Sequence, residues 1–116
     1  MKSLKASKDL RIRLLPTTRL EWINWPLIEC CLAVWQAYQE QDAKPVMTGA
    51  DYESYPAGTT HDRGLAWDWR IWDVKNPAKC AERIAELLTA ISPRWRILYG
   101  DKGHLDHIHV AYMGAL

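Results

Sequence analysis

Residues 65–74 read Leu-Ala-Trp-Asp-Trp-Arg-Ile-Trp-Asp-Val, and Asn76 and Pro77 follow one residue later. A run so rich in aromatic and β-branched side chains predicts a strand. Asn76 followed by Pro77 is typical of a helix N-cap with proline in the first turn. Apolar side chains then recur at helical spacing up to Ser92-Pro93, where the helix is predicted to end. A strand that leads directly into a helix is therefore predicted at the centre of the fold.

Further elements are predicted on both sides of this unit. Ile28, Leu32, Trp35 and Tyr38 recur at helical spacing. The complete prediction is a short helix at 18–24, a helix at 26–41, a strand at 44–48, a loop at 49–60, the strand and helix just described, a strand at 94–99, a turn at 100–103 and a strand at 106–112. This order predicts an α+β domain with a small, largely antiparallel sheet packed on helices.

The length and composition predict one globular domain over residues 1–116, with the basic residues 1–15 as an only partly ordered N-terminal segment. Hydrophobic residues make up 48% of the chain and charged residues 25%, as in ordinary globular proteins. The net charge of +1 gives no general attraction to nucleic acid. The three cysteines, Cys30, Cys31 and Cys80, are predicted to be core thiols.

The sequence predicts neither membrane insertion nor export by a signal peptide. No apolar run reaches the roughly 18 residues that a membrane-spanning helix needs. Residues 1–7 lead into no long apolar stretch, so synthesis in the cytoplasm without a signal peptide is expected.

All four histidines fall in two short segments, 59–68 and 104–110, and both segments also contain aspartates. Zinc takes His nitrogen and Asp oxygen, and a catalytic zinc site has three protein ligands and one open position. His61 and Asp68 are separated by a turn containing Gly64, so they can converge on one ion. The segments therefore predict a metal site, with zinc as the chemical expectation from imidazole and carboxylate donors.

His107 and His109 are both candidates for the third ligand, because alternate residues of a strand point the same way. Asp106 favours His109. A hydrolytic zinc site needs a nearby carboxylate to accept a proton, and an acid three residues before a ligand can lie beside the metal without binding it. His104 is predicted to act as an acid or as a donor to a developing oxyanion.

The two segments resemble a known enzyme family. Residues 59–68, Thr-Thr-His-Asp-Arg-Gly-Leu-Ala-Trp-Asp, match its pattern Ser/Thr-x-His-x-x-Gly-x-Ala-x-Asp, and residues 104–110, His-Leu-Asp-His-Ile-His-Val, match His-x-Asp-His-x-His-Val. These patterns are similar to those of the zinc D-alanyl-D-alanine carboxypeptidases, the D-Ala-D-Ala dipeptidases and the phage L-alanyl-D-glutamate endolysins. The resemblance implies the hedgehog/DD-peptidase fold.

The resemblance also implies roles for individual residues. It implies His61, Asp68 and His109 as zinc ligands, Asp106 as general base and His104 as a residue that stabilises the transition state. The implied substrate class is the stem peptide of bacterial peptidoglycan.

The chain departs from the family at one substrate-binding position. Many members carry Ser-Gly-Tyr-Arg on the strand before the first ligand, whereas residues 48–51 here are Thr-Gly-Ala-Asp. Arg63 or Arg70 is a candidate replacement, because a guanidinium binds a carboxylate through two hydrogen bonds. Thr59 and His107 are further candidates for substrate binding.

Two functions are consistent with the sequence. The first is a zinc metallopeptidase that cleaves a peptidoglycan stem-peptide bond, either as a D-Ala-D-Ala carboxypeptidase or as an L-Ala-D-Glu endopeptidase. A phage lysis enzyme acting at the cell wall is the expected setting, since neither an export signal nor a second wall-binding domain is recognisable. The alternative is a non-catalytic zinc-bearing domain of the same fold that binds cell-wall peptide or a protein partner.

Overall fold

The structure is a computed structural model that describes residues 8–20, 22–50, 65–101 and 103–115. Within these ranges the chain forms five strands and two helices. In chain order they are β1 (Arg13–Leu14), α1 (Trp25–Glu40), β2 (Val46–Gly49), β3 (Ala66–Arg70), α2 (Pro77–Thr89), β4 (Trp95–Leu98) and β5 (His107–Tyr112). The α+β class predicted from the sequence is confirmed.

Asparagine caps fix the start of both helices. In α1 the side chain of Asn24 accepts a hydrogen bond from the backbone N–H of Leu27 at 3.0 Å. In α2 the side chain of Asn76 accepts from the N–H of Lys79 at 3.1 Å. Each cap satisfies a backbone donor that the helix itself leaves unpaired, and a proline in each first turn needs no such partner. These local signals explain why both predicted helices match the observed ones closely.

The five strands form one sheet in the order β1-β2-β3-β5-β4. The pair β1 and β2 is parallel, while the other three neighbouring pairs are antiparallel. The prediction of a largely antiparallel sheet is therefore wrong, because the sheet is mixed. The difference comes from β1, which lies in the basic segment that was predicted to be only partly ordered.

One face of the sheet packs against both helices and forms the core. Trp67 and Trp69 of β3 and Ile108 and Val110 of β5 are fully buried there. They pack with the buried side of α1 and α2 in one continuous cluster. Since side chains alternate along β3 and β5, the intervening residues of these strands project from the opposite face.

Other element boundaries differ from the sequence predictions. The described residues of 18–24 are not helical. β3 ends at Arg70 rather than 74, because Ile71 begins a turn in which its carbonyl accepts from the N–H of Val74 at 3.1 Å. Gly49 belongs to β2, and residues 51–60 of the predicted loop lie outside the described ranges.

Candidate metal centre

The pairing of β3 with β5 brings predicted site residues together. Asp68 lies opposite His109, and Arg70 lies opposite His107. Paired residues of neighbouring strands project from the same face of a sheet, so Asp68, His107 and His109 share the face opposite the core tryptophans. The strand register thus joins parts of the two sequence segments that predicted a metal site.

The Asp68 carboxylate lies between two imidazoles. The residue is only 8% exposed. Its Oδ1 accepts a hydrogen bond from Nδ1 of His109 at 2.9 Å, and Nε2 of His107 lies 3.7 Å from the same oxygen. A buried carboxylate is costly unless polar groups compensate its charge. Asp68, His107 and His109 therefore form a polar cluster that we call the Asp68 cluster.

His104 joins the Asp68 cluster from the turn before β5. The centroid of its ring lies 5.4 Å from that of His107 and 5.1 Å from that of His109. Its Nδ1 donates to Oδ1 of Asp101 at 2.8 Å. Three of the four histidines of the chain are thus brought together, while His61 lies outside the described residues.

Asp106 contacts the neighbouring histidine from the solvent side. Its Oδ1 accepts from Nδ1 of His107 at 2.7 Å, and its side chain is 91% exposed. The hydrogen bond from His107 is the main cause that lowers the pKa of Asp106 below its ordinary value. The predicted general base is therefore an ionised carboxylate linked to the Asp68 cluster through His107.

The donor atoms of the cluster suit zinc chemically. Two donors that each lie about 2.0–2.1 Å from a tetrahedral zinc ion are about 3.3 Å apart, and Nδ1 of His109 and Oδ1 of Asp68 are 2.9 Å apart. If these two atoms moved slightly apart, a zinc ion could bind between them. No group of three or more His, Cys, Asp or Glu side chains within the described ranges already has the arrangement of a metal site. Two of the three predicted ligands, Asp68 and His109, are therefore in contact, and the third, His61, lies outside those ranges.

Arg70 lies beside the Asp68 cluster but has other partners. Its guanidinium stacks on the indole of Trp72, with 4.4 Å from the guanidinium carbon to the ring centroid. Its backbone carbonyl accepts from the hydroxyl of Tyr38 at 2.7 Å. The side chain also lines a surface groove of about 610 Å³ together with Arg13 and Lys44.

Most of the other positions predicted to bind substrate lie outside the described residues. Ala50, in the stretch where the family carries its arginine motif, is buried. Asp51, Thr59 and Arg63 lie outside the described residues.

Asp101 is a site residue that the sequence predictions missed. It stands three residues before His104, and the two glycines of the turn, Gly100 and Gly103, flank it. The same spacing separates Asp106 from His109. This repeated Asp-x-x-His spacing is the sequence feature from which Asp101 could have been predicted.

Comparisons of the chain with protein-family models, with curated proteins and with solved structures found no match. In the described ranges, neither helix combines the length and the apolar character needed to cross a membrane.

Proposed function

We propose that this protein is a zinc-dependent peptidase of the hedgehog/DD-peptidase type that hydrolyses a stem-peptide bond of bacterial peptidoglycan. The observation that carries the proposal is the registered pair of Asp68 and His109, which places two predicted ligands 2.9 Å apart on one face of the sheet. His104 and His107 border the same pair. The proposed site of action is the cell wall.

Asp68, His109 and His61 are the residues that would hold zinc. When bound at a site of this kind, zinc supplies Lewis acidity for the attacking water and the scissile carbonyl. Asp68 and His109 are supported by their contact and by their low side-chain exposure of 11% and 12%. Because the pair is largely buried, bulk water weakens its attraction for a cation less than it would at the surface.

Asp106 is the proposed general base. In this role its carboxylate accepts the proton of the attacking water and returns it to the leaving amine. His104 is proposed to stabilise the negative charge that develops on the carbonyl oxygen. Its support is the position of its ring within 5.1 Å of that of His109, measured between centroids.

Arg70 is the proposed contact for a substrate carboxylate. It lies two residues after Asp68 on β3 and directly opposite His107 of β5, at the edge of the Asp68 cluster. Trp72 stacks on the flat face of the guanidinium. A carboxylate binds to the N–H groups at the edge of the guanidinium, in its plane, so this stacking does not prevent substrate binding.

The alternative of a non-catalytic zinc-bearing domain is favoured by one observation. The Asp106 side chain is 91% exposed and is paired with His107, whereas a general base has to reach the water at the metal. In this second candidate the cluster binds zinc and presents a surface for cell-wall peptide, without turnover.

The substitution Asp106→Asn distinguishes the two functions. We expect the variant to bind one zinc ion as the unchanged protein does, because Asp106 is not a ligand. We expect hydrolysis to fall by about 10²- to 10⁴-fold, the usual contribution of a general base. Zinc content is measured by elemental analysis, and hydrolysis by the release of amino groups from purified peptidoglycan.

Thr89→Val is a suitable control, because Thr89 is exposed at the end of α2 and its hydroxyl donates only to the backbone of its own helix. Full activity of the Asp106→Asn variant would exclude Asp106 as the base. Loss of zinc together with activity would make Asp106 a ligand instead.

A further inference from the structure

We propose that Asp101 is a positioning residue that sets the tautomer and the orientation of His104. Its part in catalysis rests on the function proposed above. The contact itself, and the experiment that tests it, depend on neither zinc nor substrate.

The turn before β5 holds Asp101 and His104 at a fixed separation. The N–H of Gly100 donates to the carbonyl of His104 at 2.7 Å, and the N–H of His104 donates to the carbonyl of Asp101 at 2.9 Å. Gly100 and Gly103 have φ angles of 89° and 92°, a region that favours glycine. Backbone hydrogen bonds and two glycines therefore close the turn independently of the Asp101 side chain.

The closed turn sets one ring nitrogen of His104 against a carboxylate. Oδ1 of Asp101 lies 2.8 Å from Nδ1 of His104. An ionised carboxylate only accepts hydrogen bonds, so Nδ1 must carry the proton. Nε2, on the side of the ring away from Asp101, then carries the lone pair, and His104 donates from it to an oxyanion only when Nε2 holds a second proton.

The orientation matters because His104 borders the Asp68 cluster. Its ring contacts those of His107 and His109, and its side chain is 22% exposed, compared with 57% for Asp101. Asp101 thus lies on the solvent side of His104, and the rings of His107 and His109 lie against His104. Loss of the carboxylate would free the ring to rotate and to place its proton on either nitrogen.

A second exposed aspartate contacts a neighbouring histidine in the same way. Asp106 accepts from Nδ1 of His107 at 2.7 Å, as Asp101 does from His104. The two pairs belong to different histidines, so each aspartate should control the tautomer of its own partner. This gives a matched control within the chain.

The experiment is a long-range ¹H–¹⁵N correlation spectrum of the whole, metal-free protein, recorded at pH about 8, where imidazole is mostly neutral. In the unchanged protein we expect His104 to be protonated on Nδ1. In Asp101→Ala we expect a shift toward the Nε2-protonated form for His104, with the His107 signals unchanged. In Asp106→Ala we expect the tautomer of His107 to shift, with the His104 signals unchanged. Circular dichroism should show that both variants are folded.

The proposal is overturned if Asp101→Ala leaves the His104 tautomer unchanged, or if both variants alter it equally. A hydrolysis assay on zinc-loaded protein gives a second measurement. In this assay Asp101→Ala should lower kcat at least 10-fold, with KM and zinc content unchanged. If the tautomer responds but no form of the protein hydrolyses peptidoglycan, the positioning role stands and the peptidase function fails.

Discussion

Asp68 is a charged residue in a strand that is otherwise part of the core. Its neighbours in sequence, Trp67 and Trp69, are fully buried on the other face of the sheet. An ionised group at such a position needs compensation, and His109 provides it through a 2.9 Å hydrogen bond. A structural role alone would be served equally well by an apolar residue, which is why we propose Asp68 as a zinc ligand.

The unequal distances of the two strand histidines from Asp68 lead to a prediction about metal affinity. Nδ1 of His109 is 2.9 Å from Oδ1 of Asp68, compared with 3.7 Å for Nε2 of His107. If His109 is the ligand and His107 a support, His107→Ala should weaken zinc binding about 10- to 100-fold. His109→Ala should weaken it further. A competitive zinc titration measures both, and equal losses would overturn the assignment.

Glu29 gives a prediction about the pH dependence of stability. Burial is the main cause that raises the pKa of its carboxyl above the ordinary value. For an acid with a raised pKa in the folded state, the unfolded state loses its proton first. The contribution of Glu29 to stability is therefore fully present below its unfolded pKa and is lost as the pH rises through the folded pKa.

We expect the stability of Glu29→Gln, measured relative to the unchanged protein, to increase as the pH rises from about 4 to about 7. Glutamine does not ionise, so the variant does not share the loss that the unchanged protein undergoes. Urea unfolding at the two pH values measures the difference, with the exposed Glu82→Gln as control. A difference that stays constant with pH, or that reverses, would contradict the burial of the Glu29 carboxyl.

At the scale of elements, the local signals of α1 and α2 were read correctly, whereas the short helix predicted at 18–24 is not formed by its described residues and β1 was missed. Apolar periodicity predicted α1, and an asparagine cap together with apolar periodicity predicted α2, because these signals depend on residues close in sequence. β1 was missed because it has only two residues, both exposed, and it forms by pairing with a strand more than thirty residues away. The mixed character of the sheet follows from that pairing, so it could not be read from local pattern.

In the candidate site, too, a feature set by local geometry could be predicted from the sequence, whereas a contact that depends on how the chain folds could not. Strand alternation could indicate that residues 107 and 109 share a face, because that follows from local geometry. The contact of Asp101 with His104 depends on how the turn closes, and an aspartate in a glycine-containing turn ordinarily suggests only the turn itself.

The contact between α1 and the end of β3 leads to a stability prediction. The buried hydroxyl of Tyr38 donates to the carbonyl of Arg70 at 2.7 Å. Tyr38→Phe leaves this carbonyl without that partner, so we expect a loss of about 1–3 kcal/mol in the free energy of unfolding. Tyr99→Phe is the control, since the Tyr99 hydroxyl has no hydrogen bond within the described ranges. A loss no larger than that of the control would contradict a stabilising role for the bond.

At the scale of the whole molecule, the sheet separates a packing face from a chemical face. The helices and the buried side chains of Trp67 and Trp69 occupy the first, and the Asp68 cluster occupies the second. Two surface grooves lie elsewhere, one of about 580 Å³ between α1 and α2 and one of about 610 Å³ beside Arg70. Neither is lined by Asp68 or by a described histidine, so the candidate centre is identified by its chemistry and not by the size of a cavity.

The most direct test of the proposed function is mass spectrometry of purified peptidoglycan after incubation with zinc-loaded protein, beside a chelated sample. We expect products that the chelator suppresses. Free D-alanine would identify a carboxypeptidase, and stems cut between L-Ala and D-Glu would identify an endopeptidase. No new product from several wall chemistries, with protein shown to hold zinc, would contradict the peptidase function and favour the non-catalytic domain.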